Sequence, residues 1–133
     1  MTQFKFEFEK TYKEVDIAGE IHRVEFNDEA LSKHQKAIKR FDKGIKEVTE
    51  SVKDYEKATD EAIEATAQKQ KEVTKDIVET FLGEGTFEKL YEKAGKSVMN
   101  LMELVHYLIS IYAEENAKKT EKAREKYLTN VKK

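Results

Sequence analysis

Between Asn27 and Gly83 the chain meets one glycine, Gly44, and it has no proline anywhere in its 133 residues. Proline kinks or stops helices, so its absence leaves them free to run long. Apolar residues then recur seven apart. Leu31, Ile38, Ile45 and Val52 form one row, and Phe41, Val48 and Tyr55 a second. This spacing is a coiled-coil seam. So long a helix cannot bury itself inside a small compact body, and it must fold back on another helix or pack on a partner. After Tyr55 the rows decay to Thr59, Ala62 and Thr66, and a new row opens at Ile63, Val73, Ile77 and Phe81. The shift predicts a stutter or a true break near Ala58-Thr59-Asp60, where Thr59 or Asp60 can start a fresh helix. Unbroken, about 55 residues at roughly 1.5 Å each would make a rod of roughly 80 Å. Broken, the halves form an antiparallel hairpin.

The residues before this helix read as β. Phe4, Phe6 and Phe8 alternate with Lys5, Glu7 and Glu9, the period of a half-buried strand. A second strand carries Val15 and Ile17. Gly19-Glu20 fits a two-residue turn with glycine first, which places Val15 opposite Val24 and puts His22, Val24 and Phe26 on the face of Ile17. A slip of one residue would pair Ile17 with Ile21 instead. Two or three such strands are marginal alone and need a helix to lie on. Asn27 or Asp28 caps the first helix.

Beyond the second helical row, Gly83 suits a helix end. Thr86 caps a short helix bearing Phe87, Leu90 and Tyr91, which Gly95 stops, and Ser97 caps a last long helix. The first half of that helix, Val98 to Tyr112, is apolar on nearly every side, and its second half is charged. The predicted fold is therefore mainly α (α+β): an N-terminal antiparallel β-hairpin or meander, then long coiled-coil-like helices and an apolar C-terminal helix. It forms a single domain, 1–133, with a β segment over 1–26, a long helix or helical hairpin over 28–82, a short helix over 86–94 and a final helix over 97–131.

Composition removes several functional classes. Charged residues make up 39% and apolar ones 38%, with a net charge of -2, so there is neither the basic stripe that nucleic acid asks for nor a strongly acidic field. With no cysteine, disulfide and thiol chemistry are absent. The chain opens on alternating Phe and charge, so no signal peptide is expected. Val98 to Ala113 is shorter than the roughly 20 apolar residues that span a bilayer, and no membrane partner is expected.

Nor do the residues form a catalytic motif. Glu103 and His106 have the Glu-x-x-His spacing of helical di-iron sites, but such a site needs two of these pairs and two more carboxylates. A local hydrogen-bonded pair is the simpler reading, and no metal or cofactor is expected. His34 falls on the second row of the seam, where a partly exposed residue near the seam's end is expected. His22 belongs on the inner face of the sheet. Gly83-Glu84-Gly85-Thr86 leads into a helix as phosphate-binding turns do, yet it lacks the Lys-Ser/Thr of a P-loop, and Glu84 would repel an anion. Helix punctuation explains these glycines. The chain is not expected to be an enzyme. All-round hydrophobicity in Val98 to Tyr112 implies a helix enclosed on every side. The other helices have stripes that look too narrow to enclose it, so a second subunit or a client is expected to complete its burial, with core packing alone as the alternative.

The stretch Phe81-Leu82-Gly83-Glu84-Gly85-Thr86-Phe87-Glu88-Lys89-Leu90-Tyr91 resembles small proteins encoded among the tail genes of phages and prophages of Gram-positive bacteria. In these, an acidic, lysine-rich helical stretch leads into a phrase like Phe-x-Gly-Glu-Gly-Thr-x-Glu-Lys-Leu, followed by an apolar helix with a polar tail. Val15-Asp16-Ile17-Ala18-Gly19 and Val24-Glu25-Phe26 are similar to their start. The resemblance implies a tail-assembly chaperone, or a tail structural protein. It would coat an apolar helical client such as a tape-measure protein, in the cytoplasm of the bacterial host, as a homo-oligomer. The partner-binding residues expected under this reading are Phe81, Leu82, Phe87, Leu90, Tyr91, Leu101, Met102, Val105, Leu108 and Tyr112. The alternative is a phage-encoded stoichiometric inhibitor of a host nuclease or defence complex.

Overall fold

The computed structural model describes the backbone of residues 3–51 and 55–131, and their side chains apart from 55, 119 and 122–131. The chain is mainly helical, with an N-terminal antiparallel hairpin. Its elements are β1 (Tyr12–Ile17), β2 (Glu20–Glu25), α1 (Asp28–Ser51), a single 3-10 turn (Tyr55–Lys57), α2 (Asp60–Leu82), α3 (Thr86–Lys93) and α4 (Val98–Val131).

The hairpin forms in neither register expected from the sequence. Ile17 pairs with Glu20 and Val15 with His22, so Ala18-Gly19 is the two-residue turn. Both turn residues have positive φ, 53° at Ala18 and 87° at Gly19. This is the backbone of a type I′ turn, whose twist matches that of the strands it joins. The Asp16 side chain fixes it by accepting a hydrogen bond from the Gly19 amide at 3.0 Å. That bond offsets part of the cost, about 1 kcal/mol, of placing an alanine in the left-handed region. Parity still places Val15, Ile17, His22 and Val24 on one face. Val15 and Val24 are buried there, and Phe26 continues the layer into the core. On the opposite face Arg23 stacks over the Tyr12 ring at 3.7 Å.

Phe4, Phe6 and Phe8 are not in a strand. The ladder ends where Thr11 accepts a hydrogen bond from the Phe26 amide at 2.7 Å. In this register Phe8 would face Glu29 and Phe6 would face Leu31, and both of those residues are already inside α1. The arm at residues 3–10 therefore runs past the end of β2.

The long helical region is broken, one of the two outcomes that the shifted row left open. α1 and α2 form an antiparallel hairpin with the most extensive interface in the molecule. Asn27 caps α1 by accepting from the Ala30 amide at 2.9 Å, and Thr59 caps α2 by accepting from Ala62 at 3.1 Å. The seam itself is rotated from its sequence reading. The residues α1 buries are His34, Ala37, Phe41 and Gly44, while Leu31, Ile38 and Ile45 are half-buried on one shoulder. Small residues decide this. A β-carbon on Gly44 would lie 2.5 Å from a Val73 methyl, so the two backbones meet where only glycine fits. Arg40 and Glu47 flank that contact, reaching Asp76 at 2.8 Å and Lys69 at 3.4 Å. Val52 lies outside the described residues, as does the side chain of Tyr55.

A turn at Gly83-Glu84-Gly85 sends the chain into α3. Thr86 does not cap α3; its hydroxyl donates to the Gly83 carbonyl at 2.6 Å. The cap comes from α2, where a Glu79 carboxylate oxygen accepts from the amides of Gly85 at 3.0 Å and Phe87 at 3.4 Å. α3 ends in a Schellman motif, with Lys96 N–H bonded to Tyr91 O and Gly95 N–H to Glu92 O. Ser97 then caps α4 through the Asn100 amide at 3.2 Å. The core gathers Val15, Val24 and Phe26 with side chains from all four helices. Each fully enclosed large side chain contributes roughly 1.5–3 kcal/mol.

Candidate partner-binding surfaces

Of the ten residues expected to bind a partner, six are core. Phe81, Phe87, Leu90, Leu101, Val105 and Leu108 are enclosed by the chain's own packing. The cover over α4 comes chiefly from α2, with α3 beside it, while the β-hairpin lies on α2. Leu82, Tyr91, Met102 and Tyr112 are half-buried around this core. Tyr91 stacks on Phe87 with ring centroids 5.5 Å apart and carries the Lys71 ammonium 4.5 Å above its ring. Met102 receives the Gln70 side-chain amide at 3.1 Å, which ties α4 to α2.

The cover stops at one side of α4. Leu101, Val105 and Leu108 face inward at a spacing of four and three. Leu104, Tyr107 and Ile111, spaced three and four apart, run along the next stripe of the helix. Leu104 and Ile111 are half-buried, whereas Tyr107 is 54% exposed and Met99 on the outer side is 67% exposed. The helix is thus not enclosed all round by its own chain. An amphipathic partner helix would find an apolar stripe here with the i, i+3, i+7 spacing that helix-on-helix burial uses.

The second apolar surface is the arm. Phe4, Phe6 and Phe8 are 96%, 76% and 89% exposed, and the ring of Phe6 meets the edge of Phe8 at 4.9 Å. At the root of the arm is an open recess of about 560 Å³ lined by Lys10, Tyr12, Phe26 and Glu115. Its charges are mixed, with Lys13 bridging to Glu115 at 3.2 Å.

The polar candidates resolve into structural roles. Glu103 and His106 are both exposed, and His106 lies with its edge toward Phe41. Among the described residues no group of three or more His, Cys, Asp or Glu side chains converges as metal ligands would. The amides at the start of α3, where a phosphate could have sat, are already taken by Glu79. Among the described residues no helix is long and apolar enough to cross a membrane.

His34 departs most from its sequence reading. It is 2% exposed, not partly exposed. Its ring stacks on Phe81 at 4.1 Å, with the edges of Phe26 and Tyr112 beside it. Nε2 lies 2.8 Å from the Glu25 carbonyl oxygen, so it carries the proton and donates. Nδ1 is buried without a hydrogen-bond partner. Burial holds the His34 pKa below the ordinary histidine value, and the bond to Glu25 opposes this only in part. The second-row spacing put His34 on the packed side of α1, but nothing in the sequence showed that an aromatic cage would close over it.

No curated protein and no solved structure matches the chain. Residues 19–133 match a family of unknown function, DUF6673, over the end of the β-turn, strand β2 and all four helices. The chain belongs to the DUF6673 family.

Proposed function

We propose that this protein is a phage or prophage tail-assembly chaperone, or a structural protein of the tail. In this reading it binds an apolar helical client, such as a tape-measure protein, along the outer side of α4 in the cytoplasm of the bacterial host. The observation that carries the reading is a partly covered stripe of α4, where exposed Tyr107 lies between half-buried Leu104 and Ile111 at the margin of the face its own chain buries. The resemblance around Phe81 to Tyr91 supports the choice of client. The role is binding without catalysis, and the contact is helix on helix.

Co-expression with a phage tape-measure protein tests this. Tyr107→Asp places a charge in the middle of the stripe without touching the core. It should weaken capture of the client by about tenfold, the scale of an aromatic anchor lost from an interface. Its own melting temperature should stay near that of the unaltered chain, because surface substitutions cost within about 0.5 kcal/mol. Undiminished capture by Tyr107→Asp would remove the stripe from the client contact. Recovery of a host nuclease complex in stoichiometric amount, with no tail protein, would favour an inhibitor instead.

A further inference from the structure

The arm has the sequence of a strand and no strand to pair with. Phe4, Phe6 and Phe8 share one side of an extended segment, and all three are almost wholly exposed. Lys5 and Glu7 share the other side and bridge at 2.9 Å. Its own hairpin cannot take it up, because β2 gives way to α1 as soon as Phe26 has closed the ladder. A lone strand with an aromatic face is a template for another strand.

We propose that the arm pairs with the same arm of a second copy of this chain, antiparallel about a two-fold axis at Phe6. The sequence is self-complementary in that register. Phe6 meets its own copy, and Phe4 of each chain meets Phe8 of the other, so six phenylalanine rings line one face of the ribbon. On the opposite face Lys5 of each chain stands directly across from Glu7 of the other, giving two opposite-charge pairs. Both kinds of cross-strand pair stabilise an antiparallel ladder. A parallel pairing in register would set Lys5 against Lys5 and Glu7 against Glu7. Slipping the antiparallel register by one residue would put phenylalanine opposite charge. A two-stranded ribbon is marginal alone, so the dimer is a weak one that forms as concentration rises. This inference stands on the arm alone and does not rest on the client reading.

Light scattering coupled to size exclusion, over a concentration series of the full chain, should show a monomer–dimer equilibrium. Lys5→Glu and Glu7→Lys each turn two attractions into two repulsions, and each should raise the dissociation constant by about tenfold. An equal mixture of the two variants restores both pairs and should recover the dimer, as should the doubly reversed chain. Because the chain has no cysteine, Phe6→Cys introduces its sole thiol, and at the two-fold axis it should oxidise readily to a disulfide dimer. Phe4→Cys should oxidise to a dimer only when mixed with Phe8→Cys. These residues lie outside the core, so the melting temperature of each reduced variant should be unchanged. A monomer at every concentration would overturn the proposal. So would a dimer indifferent to Lys5→Glu and Glu7→Lys, or a Phe4→Cys chain that cross-links with itself as well as Phe6→Cys does.

Discussion

His34 makes the core sensitive to protons. Its neutral ring spends the single N–H on the Glu25 carbonyl and leaves Nδ1 bare among Phe26, Phe81 and Tyr112. Protonation would put a charge and an unsatisfied donor in an aromatic cage. The folded pKa therefore lies below the unfolded value of 6.5. The unfolded chain then takes up the proton first, and stability falls as pH drops through about 6.5 toward the folded pKa. Above that window the penalty is absent. The melting temperature should accordingly decline between about pH 7.5 and pH 5.5, the range in which histidine titrates. His34→Phe should flatten that decline while lowering stability at neutral pH through loss of the bond to Glu25. An equal slope in both proteins would assign the pH dependence elsewhere. The spacing of α1 placed His34 on the packed side. Its burial could not be read from local sequence, because the stacking ring comes from α2.

Among the elements, helix starts were the most legible feature. Asn27, Thr59 and Ser97 each cap the helix their side chains suited, because a cap depends only on residues within one turn. The break in the long register was legible for the same reason. The hairpin register was not, since an Asp16 side chain and a left-handed alanine outweighed the preference for glycine at the first turn position. The seam kept the row of His34 and Phe41 but took Ala37 and Gly44 in place of Ile38 and Ile45, because large apolar residues mark a stripe more visibly than the small ones that let helices touch. Gly44 is the test of that contact. Gly44→Ala gains about 1 kcal/mol of helix propensity. It also forces a methyl into the stiff Val73 side chain, an overpacking that typically costs 1–3 kcal/mol. The variant should be destabilised by about 1 kcal/mol net, and in a Val73→Ala background the same change should become stabilising. A double-mutant cycle by denaturant unfolding reads the sign in each background. If Gly44→Ala stabilises both, the close approach is not limiting.

At the scale of the whole molecule, six expected contact residues became core because α2 and α3 close one side of α4. Which faces of an apolar helix remain open is a property of the assembled layers, and periodicity alone does not reveal it. The arm was misread for a complementary reason: its pattern is that of a strand, but the neighbour it needs has already turned into a helix. The tip of the hairpin and the end of α3 are joined by Glu20 and Lys93 at 3.2 Å, across 73 residues of chain. The contacts within β1–β2 and within α1–α2 close over much shorter stretches. Lys13 and Glu115, farther apart still along the chain, join β1 to α4 at 3.2 Å. Loop-closure entropy grows with the length enclosed, so the two local hairpins should form early and the joins of the β-hairpin to α3 and α4 late. The join of β2 to α3 rests on an exposed ion pair, so it should open readily. Under native conditions, amide hydrogen exchange at Lys93 to Lys96 and along β2 should outpace exchange in the middle of α1 and α2. Uniform protection across all four segments would mean the chain opens only as a single unit. Otherwise the protein breathes where distant stretches of its chain are held by surface charge alone.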